Sequence, residues 1–148
     1  MSQIFTETVS INAPLEEVWN YFINLEENAA NWMKGVQTME KETSGDISAG
    51  MNYVFHARGK KHTSTVTEFV PKAKVTLTSV QGSFQADYTY SFSSENSNIT
   101  KLTLNASCDA RGVSRIFSPV IKMAIKKSDQ DQVSLFKEAF LNRGQVRT

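Results

Sequence analysis

The chain has one cysteine, Cys108, and almost no net charge: sixteen Lys and Arg stand against fifteen Asp and Glu, a formal +1 over 148 residues. A lone thiol forms no internal disulfide, and a near-neutral chain has no long-range field to gather phosphates, so nucleic acid is not expected as a partner. Apolar runs near the ~18 residues of a membrane span are missing, because Lys, Glu, Asn or Ser interrupts every hydrophobic stretch. The opening residues Met1-Ser2-Gln3-Ile4-Phe5 lack the basic and long apolar segments of a secretory signal. A reducing, cytoplasmic setting is the expectation. Repeats, low-complexity tracts and linkers are absent as well, so residues 1–148 are expected to fold as one domain, as a monomer or homodimer. A chain of this size removes roughly 68–70 % of its unfolded surface from water.

Reaction signatures are equally scarce. No Ser/His/Asp order with a glycine elbow occurs, and Gly59-Lys60-Lys61 lacks the preceding glycine and following Ser or Thr of a phosphate loop. The two histidines, His56 and His62, flank the Gly59-Lys60 turn on adjoining strands, near enough to pair if the register allows, but no third ligand accompanies them. No metal and no cofactor are expected, and the histidines are expected to face solvent. Cys108 sits on an apolar parity and is expected to be a small buried hydrophobe.

What the sequence does contain is clear periodicity. Phe5, Val9 and Ile11 share one parity and Thr6, Thr8 and Ser10 the other, a half-buried strand from Phe5 to Ile11. Pro14, Glu16 and Glu17 then open a helix carrying Val18, Phe22 and Leu25 at helical spacing, and a shorter helix is expected near Asn28 to Met33. Beyond Lys34-Gly35 the period changes to two: strands are expected at Val36–Lys41, around Met51–Arg58, at Thr63–Val70, at Val75–Val80, across Phe84, Ala86, Tyr88, Tyr90 and Phe92, and across Leu102, Leu104, Ala106 and Cys108. Short turns between them imply an antiparallel meander. From Gly112 a long helix is expected, with Val113, Phe117, Val120, Ala124, Leu135 and Ala139 near one face, a kink or fresh start at Ser118-Pro119 with Ser118 as possible N-cap, and a straight run to about Asn142. The order β-α-α-β6-α describes an α+β fold in which a seven-stranded curved antiparallel sheet wraps around a long C-terminal helix. A bent sheet and one helix leave a hollow wherever side chains do not fill it.

The order of elements, with Ile11-Asn12-Ala13-Pro14-Leu15-Glu16-Glu17-Val18-Trp19, Asn31-Trp32-Met33 and Val66-Thr67-Glu68-Phe69-Val70-Pro71, resembles the START-like (SRPBCC) superfamily with its helix-grip fold, and in particular the polyketide cyclase/dehydrase and lipid-transport branch. Each signature has a structural task, so the resemblance speaks to fold rather than to a reaction. It implies an internal cavity between sheet and helix, used by members for hydrophobic ligands, for aromatic-ring-forming chemistry or for binding other proteins.

Candidate wall residues follow from the two periods. Ser128 and Asp131 interrupt the inward stripe of the last helix, beside Gln132, so the cavity there is wet, a tyrosine hydroxyl satisfies the acid, or the stripe rotates toward Phe136 and Phe140 and Asp131 reaches solvent. Tyr53, Phe55, Tyr88 and Tyr90 on the strands, with Phe92 and with Trp32 near the mouth, read first as core and second as an aromatic wall. With Phe117, Val120 and Ala124 they make up the candidate ligand-binding set: Trp32, Tyr53, Phe55, Tyr88, Tyr90, Phe117, Val120, Ala124, Ser128 and Asp131. Arg111, Arg115, Lys122, Lys126 and Lys127 make the long helix basic, the ordinary solvated face of such a helix. The expected function is binding of a small hydrophobic molecule, whether lipid, aromatic or polyketide-like. The alternatives are a cofactor-free cyclase or dehydratase using Asp131 and a tyrosine, and a chaperone-associated interaction domain.

Overall fold

The structure is a computed structural model that describes residues 2–110 and 113–143, the side chains of residues 113–117 excepted. Strand β1 (Ser2–Ile11) leads into helices α1 (Leu15–Ile23) and α2 (Leu25–Trp32), followed by β2 (Val36–Lys41), β3 (Asn52–Ala57), β4 (Lys60–Val70), β5 (Lys74–Gln81), β6 (Phe84–Asn96) and β7 (Ile99–Ala110), then α3 (Val113–Asp129) and α4 (Gln132–Leu141). All seven strands form one antiparallel sheet in the order β1-β7-β6-β5-β4-β3-β2. The meander is therefore as its alternation implies, and β1 and β2 end on opposite edges. The two short helices carry the chain between those edges.

Local chemistry fixes that crossing. Pro14 precedes α1 and its carbonyl accepts the amides of Glu17 and Val18 at 3.1 and 3.2 Å, while buried Thr100 on β7 donates its hydroxyl to the Ala13 carbonyl at 2.8 Å. The second helix begins three residues before the expected Asn28. Leu25 and Ala29 are fully buried, so Glu26, Glu27 and Asn28 occupy its outer face instead of terminating it.

The end of the chain departs further from expectation. Helix α3 is continuous through Pro119, and the interruption falls at Gln130-Asp131, where three weak helix formers, Ser128, Asp129 and Asp131, cluster. Ser118 is consequently interior to α3 and is not an N-cap. After the break the inward face resets: Gln132, Val133, Phe136 and Phe140 are buried on α4, Leu135 and Ala139 are half-buried, and Val120 on α3 is 69 % exposed. Of the three alternatives for the polar interruption, the stripe does rotate toward Phe136 and Phe140.

The concave face of the sheet carries Phe92, Tyr90, Tyr88 and Ala86 of β6, cross-strand from Leu102, Leu104, Ala106 and Cys108 of β7. At one end of the grip this face meets a cluster of rings. Phe22 lies 4.8 Å from Tyr90, 5.0 Å from Phe92 and 5.5 Å from Trp32 between centroids, and Trp32 sets its edge against Phe136 at 5.1 Å. Aromatic pairs at these separations add about 0.5–1.5 kcal/mol each beyond simple burial. That half of the hollow is full.

Candidate functional site

The other half is not. Where the concave positions become small (Ala57, Ser64, Ser79 and Ala86 on the sheet, Ala124 and Ser128 on α3), a cavity of about 520 Å³ remains between strands β2–β6 and helix α3. Its size lies within the roughly 300–1,000 Å³ of small-molecule sites. Met33, Val36, Met39, Phe55, Leu77 and Ile125 give it an apolar lining, and Tyr88, Tyr90, Asp129, Gln132 and His62 supply polar groups. Lys34, Arg58, Lys60 and Gln81, all exposed, form its rim.

Strand register explains the composition of the wall. Met39 lies opposite Phe55, Phe55 opposite His62, Ala57 opposite Lys60, and Leu77 opposite Tyr88, so alternate residues of five consecutive strands face the same space. His62 stacks on Phe55 at 5.1 Å between ring centroids, and its Nδ1 lies 3.0 Å from Gln81 Nε2. It is half-buried, which corrects the expectation that both histidines face solvent. His56 does so: it is paired with Lys61 rather than with Phe55, so it points to the opposite face, 3.1 Å from Thr38 Oγ1. The two rings do not meet. Among the described residues no group of three His, Cys, Asp or Glu is placed to hold a metal ion. Cys108 is buried, and desolvation pushes its thiol up, in keeping with a packing role.

Two tyrosines bridge the sheet to the helical layer. Tyr88 donates its hydroxyl hydrogen to Asp129 at the end of α3, and Tyr90 donates to Gln132 at the start of α4. Burial, then the nearby Asp129 carboxylate, drive both hydroxyls far above the usual tyrosine range. Both rings therefore stay neutral and act as donors. Asp131, the acid singled out in the sequence, sits at the interhelical break, about half exposed and 3.9 Å from Lys34 Nζ, with one carboxylate oxygen buried and unpaired.

Five of the ten candidates line the cavity together: Phe55, Tyr88, Tyr90, Ala124 and Ser128. Trp32 and Tyr53 lie in the filled core, and Val120 turns outward. Asp131 is outside the lining, its place taken by Asp129 two residues earlier, because the helix breaks there. Phe117 lies on α3 with its side chain outside the described residues, as do the side chains of Arg111 and Arg115. Sequence reading missed Arg58, Lys60, His62 and Asp129. The β3–β4 hairpin carried the signal for Lys60 and His62, since strands joined by the two-residue turn Arg58-Gly59 put Ala57, Lys60, His62 and Phe55 on one face.

The profile of the polyketide cyclase / dehydrase and lipid transport family matches residues 2–140. The chain belongs to that family. Its fold is similar to the Zhui aromatase/cyclase from Streptomyces sp. R1128, with a TM-score of 0.73 and 12% identity over 96% of this chain and 95% of that one. The di-domain ARO/CYC BexL from the BE-7585A biosynthetic pathway gives a TM-score of 0.76 at 16% identity, over 94% of this chain and 46% of that chain. The protein TTHA0849 from Thermus thermophilus gives 0.70 at 18% identity, over 95% and 98%. Identities this low show a shared helix-grip architecture. No significant match was found among curated proteins. Among the described residues no helix is long and apolar enough to cross a membrane.

Proposed function

We propose that this family member binds a small, mainly hydrophobic molecule in the hollow between its sheet and α3. The observation that carries the reading is the 520 Å³ cavity itself, which persists although rings pack densely at the other end of the same grip. A protein whose face alone was functional would gain by filling such a space, since unfilled volume forfeits packing contacts. Native mass spectrometry of freshly purified protein is expected to reveal a retained small molecule. Thermal-shift screening with polycyclic aromatics, fatty acids and sterols is expected to find stabilisers, because a ligand at a hundred times its Kd adds about 2.7 kcal/mol to the native state. The variant Ala86→Phe, which places a ring inside the cavity, is expected to abolish the shift without loss of folding. Failure of every ligand class to shift the wild-type protein would overturn the reading.

A second reading is favoured by one feature: a carboxylate, Asp129, stands in the wall beside a tyrosine and across from His62. A cofactor-free cyclase or dehydratase needs a base to remove a proton next to a carbonyl and a donor to steady the oxygen that becomes negative. Asp129 is the base in this reading and Tyr88 the donor that aligns it, replacing the role expected of Asp131. Asp129→Asn would then remove turnover while leaving the melting curve nearly intact.

A further inference from the structure

The rim of the cavity has the wrong charge for a purely apolar guest. Lys34, Arg58 and Lys60 line it, with Asp129 as the lone acid, so the wall alone carries a formal +2 in a chain whose total is +1. Local partners cancel only part of this charge. Asp129 is engaged by Tyr88, Lys34 shares Asp131 at 3.9 Å, and Arg58 donates from Nη2 to a neutral group, Ser128 Oγ, at 3.1 Å. Among the described residues no carboxylate pairs with Arg58 or Lys60. A guanidinium has five N–H donors in a fork shaped for oxyanions, and one of them is used here.

The backbone under Arg58 strengthens the case. Arg58 and Gly59 form the two-residue β3–β4 turn with φ of 53° and 77°, a left-handed pair for which Asn-Gly or Gly-Gly is the inexpensive choice. An arginine in that conformation costs about 1–2 kcal/mol. It nevertheless stands there, and its side chain runs past Gly35, where an added Cβ would lie 3.7 Å from Nε, to reach α3 across the mouth. Strain retained at the edge of a cavity is a pointer to use.

Resting on the cavity being a ligand site, we propose that its ligand is an amphiphile with one oxyanion group, such as a carboxylate, bound by Arg58 and Lys60 while the apolar body fills the space behind. Two fluorescent probes that differ only in the anion test this: 1-anilinonaphthalene-8-sulfonate and its uncharged counterpart N-phenyl-1-naphthylamine. The sulfonate is expected to bind about tenfold more tightly at low salt, an advantage that fades as salt is raised. The double variant Arg58→Asn, Lys60→Gln keeps a residue suited to the left-handed turn. It is expected to erase that advantage while leaving the neutral probe's affinity unchanged. Equal binding of the two probes by the wild type, an advantage that survives in the variant, or equal loss of both probes in the variant would each overturn the oxyanion site and leave the cavity reading standing. Binding of neither probe to the wild type would sink both.

Discussion

Tyr88 and Asp129 join β6 to the end of α3, and two residues along the strand Tyr90 makes the same bond to Gln132 at the start of α4. A two-residue step on a strand thus matches a three-residue step across the helix break, which fixes how the helical layer sits on the sheet at the floor of the cavity.

The two bonds are expected to respond differently when cut. Tyr90→Phe leaves Gln132, 6 % exposed, with a buried amide oxygen lacking its donor, and is expected to cost about 1–3 kcal/mol. Tyr88→Phe is expected to cost less, because Asp129 is only half-buried beside the open cavity and water can replace the hydroxyl. Urea unfolding of both variants decides the order; a larger loss for Tyr88→Phe would mean that the Asp129 bond carries the clasp.

The neighbouring acids invite a second comparison. Asp131 meets Lys34 at 3.9 Å with both side chains about half exposed, and such pairs are worth about 0–1 kcal/mol. Asp131→Asn is expected to leave both stability and ligand affinity close to wild type, whereas Asp129→Asn alters the cavity wall and is expected to change ligand affinity. Calorimetric titration of any ligand found by the thermal screen, against both variants, checks this. Sensitivity at Asp131 alone would return the wall acid to the position first suspected.

That pair of acids also marks how far the sequence could be read. Alternation is a strict code, so it groups Phe84, Ala86, Tyr88, Tyr90 and Phe92 on one face of β6 without saying which face is concave, and the structure turns that face, with Tyr88 and Tyr90, to the hollow. Helical phase is a running sum, so one break misplaces everything after it: counting through Gln130-Asp131 put Asp131 inside, when Asp129 is there. Pro119 drew the expected break to itself because a proline is a louder local signal than four polar residues. The rim escaped for another reason. Arg58, Lys60 and His62 look like an ordinary polar hairpin until the sheet curves and brings the turn over α3, a contact seventy residues apart in sequence. Trp32 and Tyr53 were placed at the cavity by residue type, yet whether a ring fills a core or lines its edge depends on what packs against it.

Alkaline titration gives a third test. Burial, with Glu26 nearby, pushes Tyr53 up to about 12, and burial with the Asp129 carboxylate raises Tyr88 and Tyr90 well above the usual tyrosine range. In the unfolded chain all three lose their protons near 10. Folded-state values raised in this way leave stability fully present below pH ~10 and erode it above, since the unfolded chain then binds fewer protons. Each tyrosine contributes a loss of about 1.4 kcal/mol per pH unit, ending near pH 12 for Tyr53. Denaturation between pH 9 and 11, values chosen as roughly spanning the free tyrosine pKa, is expected to show a steep decline that Tyr90→Phe makes shallower. A flat profile would show that these hydroxyls are not desolvated.

Tyr53 raises a separate point, because its hydroxyl is buried without a hydrogen-bond partner, as is the Trp32 indole N–H. An orphan hydroxyl in a core costs about 1–3 kcal/mol, so Tyr53→Phe, which keeps the ring, is expected to be neutral or stabilising. Chemical denaturation reads the sign. A clear loss of stability would identify an ordered water on the hydroxyl, since removing its anchor would strand that water's other contacts.

Pro119 permits the sharpest substitution on the helical layer. It is the seventh residue of α3, too deep for the first-turn exemption, so it withholds an amide from the helix and crowds the preceding turn, while the residue itself is exposed. Pro119→Ala is expected to stabilise the fold by about 1–3 kcal/mol, read from urea unfolding. The neighbouring Ser118 is only 9 % exposed, so any bend at the proline is tied to how this side of α3 meets the sheet. If the alanine variant is instead less stable and binds the cavity's ligand more weakly, the proline is part of the geometry that holds α3 away from the sheet and keeps the hollow open.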